Sequence, residues 1–238
     1  MDKANCGSFY YNYYHGVMTR LSAKRAFSFG VVILAAGRSS RMGSPKLLLP
    51  WGGSSVLGHL IKQWQGLRAK QIAVVCALGD QAIGAELDRL VFPARNQIVN
   101  LAPCRGMFSS VQCAAQWSGW LASLTHWAIV LGDQPHLQRR TLRQLLDFSA
   151  AHPARVCQPA WRGHGRHPVL LPKSVFRQLA GSKAKTLKAF LSAMPHRIVL
   201  CELDDAGLDL DIDRPEDYRR AVLLALVERS QLRFEGIR

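Results

Sequence analysis

From Gly30 onward the chain switches repeatedly between two hydrophobic periods, and that alternation limits the folds open to it. "VVILA" (31–35), "QIAVVCA" (71–77) and "NQIVN" (96–100) are short apolar runs of the kind that form buried parallel strands. A fourth, "HWAIVLGDQP" (126–135), breaks into a tight loop. Between them lie segments of helical period. In "SSVLGHLIKQWQGL" (54–67), Val56, Leu57, Leu60, Ile61 and Trp64 share one stripe. "GDQAIGAELDRLV" (79–91) is a second helix, "GMFSSVQCAAQWSGWLAS" (106–123) opens a third, and "LQRRTLRQLLDFSA" (137–150) is the next. "ARVCQPA" (154–160), "HPVLLP" (167–172), "KSVFRQLA" (173–180), "AKTLKAFLS" (184–192) and "HRIVLCEL" (196–203) continue the series. "PEDYRRAVLLALVE" (215–228) closes it, with Pro215 near the first helical position and acids in the first turn. This pattern predicts the α/β class: a single doubly wound, mostly parallel sheet with helices on both faces, Rossmann-like in outline. A chain of 238 residues, 48% hydrophobic, has enough apolar mass for such a core.

Residues 1–29 show neither period and are expected to be a disordered tail ahead of one domain over 30–238; Met18 is an alternative start. The tail lacks the basic and apolar regions of a signal peptide, and no apolar run approaches the ~20 residues of a spanning helix. The six cysteines have no zinc-type spacing and read as reduced thiols of a cytoplasmic protein. A formal net charge of +15 favours anionic partners. The basic residues are spread along the chain rather than clustered with aromatics, which argues against nucleic acid.

In a doubly wound sheet, ligands bind beyond the carboxyl ends of the strands, and the unusual loops here all follow strand ends. The loop in "ILAAGRSSRMGSPK" (33–46) offers close backbone approach at Ala36 and Gly37, with fixed positive charge at Arg41 and Lys46. Successive peptide N–H groups there suit an anion, although the P-loop and dinucleotide fingerprints are both absent and a plain turn reads similarly. Asp133 in "LGDQP" ends an apolar strand, where a carboxylate either holds a magnesium ion against a phosphate or caps a turn. In "LDLDIDRPEDY", strand alternation puts Asp209, Asp211 and Asp213 on one face, as metal ligands or as a solvated edge.

Together, "VVILAAGRSSRMGSPKLLLPWGG", "VNLAPCRGMFSSV", "LGDQP" and "DLDIDRPEDY" resemble the nucleotidyltransferases that build dinucleotide forms of the molybdenum cofactor, and above all the molybdenum cofactor cytidylyltransferases. The resemblance runs from about Val31 to Tyr218. It implies that Leu34, Ala35, Ala36 and Gly37 lie along base and ribose, and that Arg41 and Lys46 meet the outer phosphates. It puts Asn100, Gly106, Ser109 and Ser110 on the base side, and magnesium on Asp133 with Asp213 or Asp211. CTP is the favoured donor, because relatives specific for guanine carry Gly-Gly where this chain has Ala36-Gly37.

The acceptor half departs from the family pattern. Arg166 stands before His167-Pro168 where relatives often have glycine, and "GSKAKTL" replaces an acid- and arginine-containing string. Arg166, His167, Lys183 and Lys185 are the acceptor-binding candidates, with a solvated basic face as the alternative for the lysines. A phosphorylated acceptor such as molybdopterin is implied, with a molybdoenzyme or its chaperone as recipient. The alternatives are a sugar or polyol phosphate acceptor, GTP as donor, or a non-catalytic nucleotide-binding accessory protein.

Overall fold

The structure, a computed structural model, describes residues 26–37 and 42–235. The expected tail, up to residue 25, and Arg41 lie outside the described residues.

Among the described residues, ten strands and seven helices follow one another: β1 (Phe29–Leu34), β2 (Pro50–Trp51), β3 (Ser54–Ser55), α1 (Val56–Gly66), β4 (Gln71–Ala77), α2 (Gln81–Arg89), β5 (Gln97–Asn100), α3 (Met107–Gln116) and β6 (His126–Leu131). α4 (Arg139–Ala151), β7 (Val156–Trp161), β8 (His164–Gly165), β9 (Val169–Pro172), α5 (Lys173–Leu179), α6 (Leu187–Ser192), β10 (Ile198–Glu202) and α7 (Pro215–Glu235) follow. β1 begins one residue before the expected domain start: Phe29 is buried in it, and Ser28 N donates to Thr125 Oγ1 at 3.0 Å.

The main sheet has the order β10-β7-β9-β6-β1-β4-β5, with β8 hairpinned onto β7. β1 pairs in parallel with β4 and β6, β4 with β5, and β7 with β10. β9 alone on this path runs against its neighbours, β6 and β7. The sheet is mostly parallel, as the periodicity predicts.

Its two faces carry separate cores, and β1 shows why. Val31 and Ile33 point into a core with Leu57, Leu60 and Trp64 of α1, Leu87 of α2 and Leu145 of α4. Val32 and Leu34 point into the other, with Phe108 and Val111 of α3, Phe176 of α5 and Phe190 of α6. Period-two alternation along a strand buried on both sides requires this division. Capping side chains start three of the helices: Ser55 accepts from Gly58 N, Asp80 from Ile83 N and Thr186 from Ala189 N.

The third helical segment stops at Gln116 instead of running on. Trp117 turns extended, and Trp120 folds back to donate Nε1–H to Ala114 O at 2.8 Å and to meet Trp127 edge-on. Edge-on packing of the half-buried Trp120 against Trp117 and Trp127 replaces continued helix there. No helix among the described residues is long and apolar enough to cross a membrane. Cys76, Cys104, Cys113, Cys157 and Cys201 are free thiols, and burial raises the Cys76 thiol to about 12.

Candidate nucleotidyl-transfer site

The loops after β1, β5 and β6 meet at the carboxyl edge of the sheet around a cavity of about 520 Å³. Leu34, Ala36 and Gly37 form one wall, Gly106, Met107 and Ser110 another, and Lys46, Gly132 and Asp133 close one end. Gly106 has φ +87°, a left-handed conformation that a side chain would strain, and it opens α3 toward this space. Gly132 is glycine for a different reason: a Cβ there would stand 2.6 Å from Leu47 Cδ2 and 3.0 Å from the Leu34 carbonyl oxygen. The loops after β1 and β6 therefore touch only because position 132 has no side chain.

Lys46, on a single 3₁₀ turn (Lys46–Leu48), reaches across to the acids. Its Nζ donates to Asp133 Oδ2 at 2.8 Å and to Ile212 O at 3.2 Å, and lies 3.5 Å from Asp213 Oδ1. The loop after β10 is fixed beside the Asp133 loop by Ile212 N donating to Asp133 O at 3.1 Å. Gln134 Nε2 donates to Asp211 Oδ1 at 2.9 Å. The Asp211 carboxyl sits above the usual carboxylate range because of its partial desolvation first and the Asp133 charge second, although the residue as a whole is exposed.

Deeper supports hold this loop. Asp205 is buried and accepts from Thr141 Oγ1 at 2.7 Å and Gly207 N at 2.9 Å; His136 Nε2 lies 2.9 Å from Gly207 O. Burial pushes the His136 and His167 imidazoles below their ordinary range, so both are neutral at physiological pH.

The aspartate-rich segment is not a strand. A 3₁₀ turn spans Ala206–Asp209, and irregular chain leads to α7. Leu208, Leu210 and Ile212 are nonetheless buried, which leaves the intervening acids outward. They do not act together: Asp209 pairs with Arg166, whereas Asp211 and Asp213 stay with the Asp133 loop.

Two expected base-side residues face inward. Asn100 is buried, and its Nδ2 donates to Ser109 Oγ at 2.8 Å and Ser110 Oγ at 2.9 Å. Its Oδ1 accepts from Ala102 N at 2.9 Å, and Ser109 Oγ donates on to Gly106 O at 2.7 Å. Asn100 and Ser109 brace the 100–106 loop behind the cavity wall, while Gly106 and Ser110 line it. Ala35 is likewise spent on the fold: its side chain is in the core and its N–H donates to Val75 O at 2.8 Å.

On the acceptor side, the Arg166 guanidinium is occupied by Asp209, and His167 Nδ1 lies 3.5 Å from Ile129 O. Lys183 and Lys185 are exposed on the 180–186 connection, outside the cavity lining. A second cavity of about 520 Å³, between the β2–β3 ribbon and α7, has its Glu86 and Arg89 paired with each other and lies apart from Asp133.

A divalent cation fits the carboxylate cluster. Asp133 Oδ1 is buried and has no hydrogen-bond partner among the described residues, an arrangement costly for a carboxylate oxygen unless a cation or ligand completes it. Hard carboxylate oxygens suit magnesium or manganese. No group of three His, Cys, Asp or Glu side chains poised to hold a metal exists among the described residues, so phosphate oxygens would have to complete the shell.

The family model described as "MobA-like NTP transferase domain" matches residues 31–198. The chain belongs to this family. The chain is 27% identical over 189 residues to the molybdenum cofactor cytidylyltransferase of Escherichia coli, covering 79% of this chain and 92% of that one. It is 30% identical over 125 residues to the bifunctional protein GlmU of Cereibacter sphaeroides, covering 51% of this chain. The chain spans only 26% of that relative's length. Among solved structures it resembles Rv0371c of Mycobacterium tuberculosis, with a TM-score of 0.65, 26% identity, and coverage of 83% of this chain and 98% of that one. The same mycobacterial protein has been crystallised in complex with manganese (TM-score 0.63, 23% identity, coverage 83% and 98%). The matched range takes in Lys46, Asp133 and the whole cavity wall, and stops short of Asp211 and Asp213.

Proposed function

We propose that this transferase moves CMP from CTP onto a phosphorylated acceptor, molybdopterin in its metal-bound or metal-free form, and releases pyrophosphate. The observation that carries the reading is the meeting of Lys46, Asp133 and Asp213 at one end of a cavity walled by Ala36, Gly37 and Gly106. The similarity to the Escherichia coli cytidylyltransferase over 92% of that protein supports the choice of donor and acceptor.

An oxygen of the acceptor phosphate attacks the α-phosphorus in line. The new P–O bond forms as the bond from Pα to the β-phosphate oxygen breaks, and pyrophosphate leaves with that electron pair. The attacking phosphate is already ionised at neutral pH, so no general base is required. The backbone at Ala36 and Gly37 positions base and ribose. Lys46 and Arg41 receive the negative charge of the departing pyrophosphate. Asp133, with Asp213 in preference to Asp211, would hold magnesium; Gln134 already occupies Asp211 Oδ1. That ion would neutralise charge on the transferring phosphoryl oxygens when bound. Catalysis is then positioning plus electrostatics.

Pyrophosphate release tests the reading, with CTP and GTP each offered molybdopterin, a sugar phosphate and a polyol phosphate. CTP with molybdopterin should turn over fastest. The Ala36 methyl narrows the base slot, and one methyl discriminates by about 1–3 kcal/mol. Ala36→Gly should therefore relax the CTP preference without reversing it. Equal or better use of GTP by the unaltered protein refutes the donor assignment, and a sugar phosphate outperforming molybdopterin refutes the acceptor.

A further inference from the structure

We infer that Lys46 is the internal counter-ion of the metal carboxylates, so that a divalent cation enters the site only in step with the nucleotide's phosphates. The inference rests on the metal assignment above and adds to it an order of binding.

The ammonium has three donors, and three oxygens of two different loops surround it: Asp133 Oδ2 at 2.8 Å, Ile212 O at 3.2 Å and Asp213 Oδ1 at 3.5 Å. A magnesium ion held by both carboxylates, even through the unpartnered Asp133 Oδ1, would sit within a few ångströms of the ammonium, and the two positive charges repel each other. The side chain is only 18% exposed, so water screens that repulsion poorly while Lys46 stays in place. A triphosphate changes the balance twice. Its oxygens take over Lys46, which swings on a flexible four-carbon stem, and they supply the metal with the ligands the protein lacks. Metal and nucleotide therefore bind with positive coupling, and by linkage each tightens the other by the same factor.

The test is Mn²⁺ binding to the full chain, read by electron paramagnetic resonance of the free ion, with and without a non-hydrolysable CTP analogue. Wild type should bind Mn²⁺ weakly alone and tightly with the analogue. Lys46→Met should bind Mn²⁺ about tenfold or more tightly than wild type when no nucleotide is present, the equivalent of losing one partly screened competing charge. Lys46→Gln should move the same way, and Lys46→Arg, which keeps the charge, should stay weak. Unchanged or weaker Mn²⁺ binding in both neutral variants, or an equal gain in Lys46→Arg, overturns the inference while leaving the metal site intact. Failure of wild type to bind Mn²⁺ even with the analogue overturns both the inference and the metal assignment beneath it.

Discussion

Gly132 joins the fold to the chemistry, and Gly132→Ala measures how tightly. The added methyl meets Leu47 Cδ2 at 2.6 Å and the Leu34 carbonyl oxygen at 3.0 Å. Leu47 can yield, because the contact is the far end of its side chain, but it is 95% buried and has little room to move. The Leu34 oxygen belongs to the central strand and yields less. Overpacking of this kind costs about 1–3 kcal/mol. For a chain of this size that is a fall in melting temperature of roughly 3–10 °C. Leu47 adjoins Lys46, so the same displacement carries the ammonium away from Asp133. Misplacement by part of an ångström should lower turnover about tenfold. Urea unfolding followed by fluorescence of the buried Trp51, Trp64 and Trp127 reads the stability, and pyrophosphate release reads the turnover. Leu47→Val removes the clashing atoms, so the double variant should be more stable than the sum of the singles by about 1 kcal/mol. Strictly additive singles, or a Gly132→Ala protein with unchanged midpoint and rate, would refute the argument that the two loops are in contact through position 132.

Asp133→Asn should leave the melting temperature within a few degrees of wild type and cut turnover about a hundredfold or more, because the anchoring charge is lost; near-normal magnesium-dependent turnover contradicts the site. Asn100→Ala removes three hydrogen bonds in a buried loop and should cost roughly 2–4 kcal/mol in urea unfolding. A cost under about 0.5 kcal/mol would mean the network does not brace the loop. Asp211 titrates above the ordinary carboxylate range in the folded protein. The stability linked to its protonated form is fully present below the unfolded value near pH 4 and is lost as pH rises through the folded one. Asp211→Asn should thus raise the melting temperature at pH 7 and leave it unchanged below about pH 4; the opposite trend refutes the raised titration.

Much of this architecture is legible in the chain because hydrophobic period is a local property. β4 occupies the whole of 71–77, and α1 and α2 start at Ser55 and Asp80 caps visible as residues. The direction of β9 is not legible: an apolar run reads the same whichever way it runs, and only its antiparallel register with β6 decides. The β2–β3 ribbon has two residues per strand, too few to show a period. Lys46, Asp133 and Asp213 stand out at loop positions and through family resemblance. Asn100 and Ser109 are of the right type in the right loop, yet a polar group after a strand serves a ligand or the loop's own backbone equally well. Here the N–H of Ala102 and the two hydroxyls claim Asn100. Gln134, Asp205 and the pairing of Arg166 with Asp209 depend on contacts across 77, 64 and 43 residues, which no local pattern encodes.

The reversal of β9 has a consequence for the acceptor side proposed above. Because Val169 pairs with Ile129, the segment entering β9 arrives at the same sheet edge that every parallel strand leaves. The β7–β8 hairpin projects from that edge too, its tip formed by Arg162 and Gly163, both left-handed (φ +52° and +77°). The donor cavity is lined by residues before 134, none of them from this hairpin. Lengthening the exposed tip around Arg162 and Gly163, or exchanging its charge, should leave the register of β7 against β10 unchanged, whereas Arg166 at the base is tied to Asp209. Grafting this hairpin between relatives should transfer acceptor preference while the choice of nucleotide stays with the host.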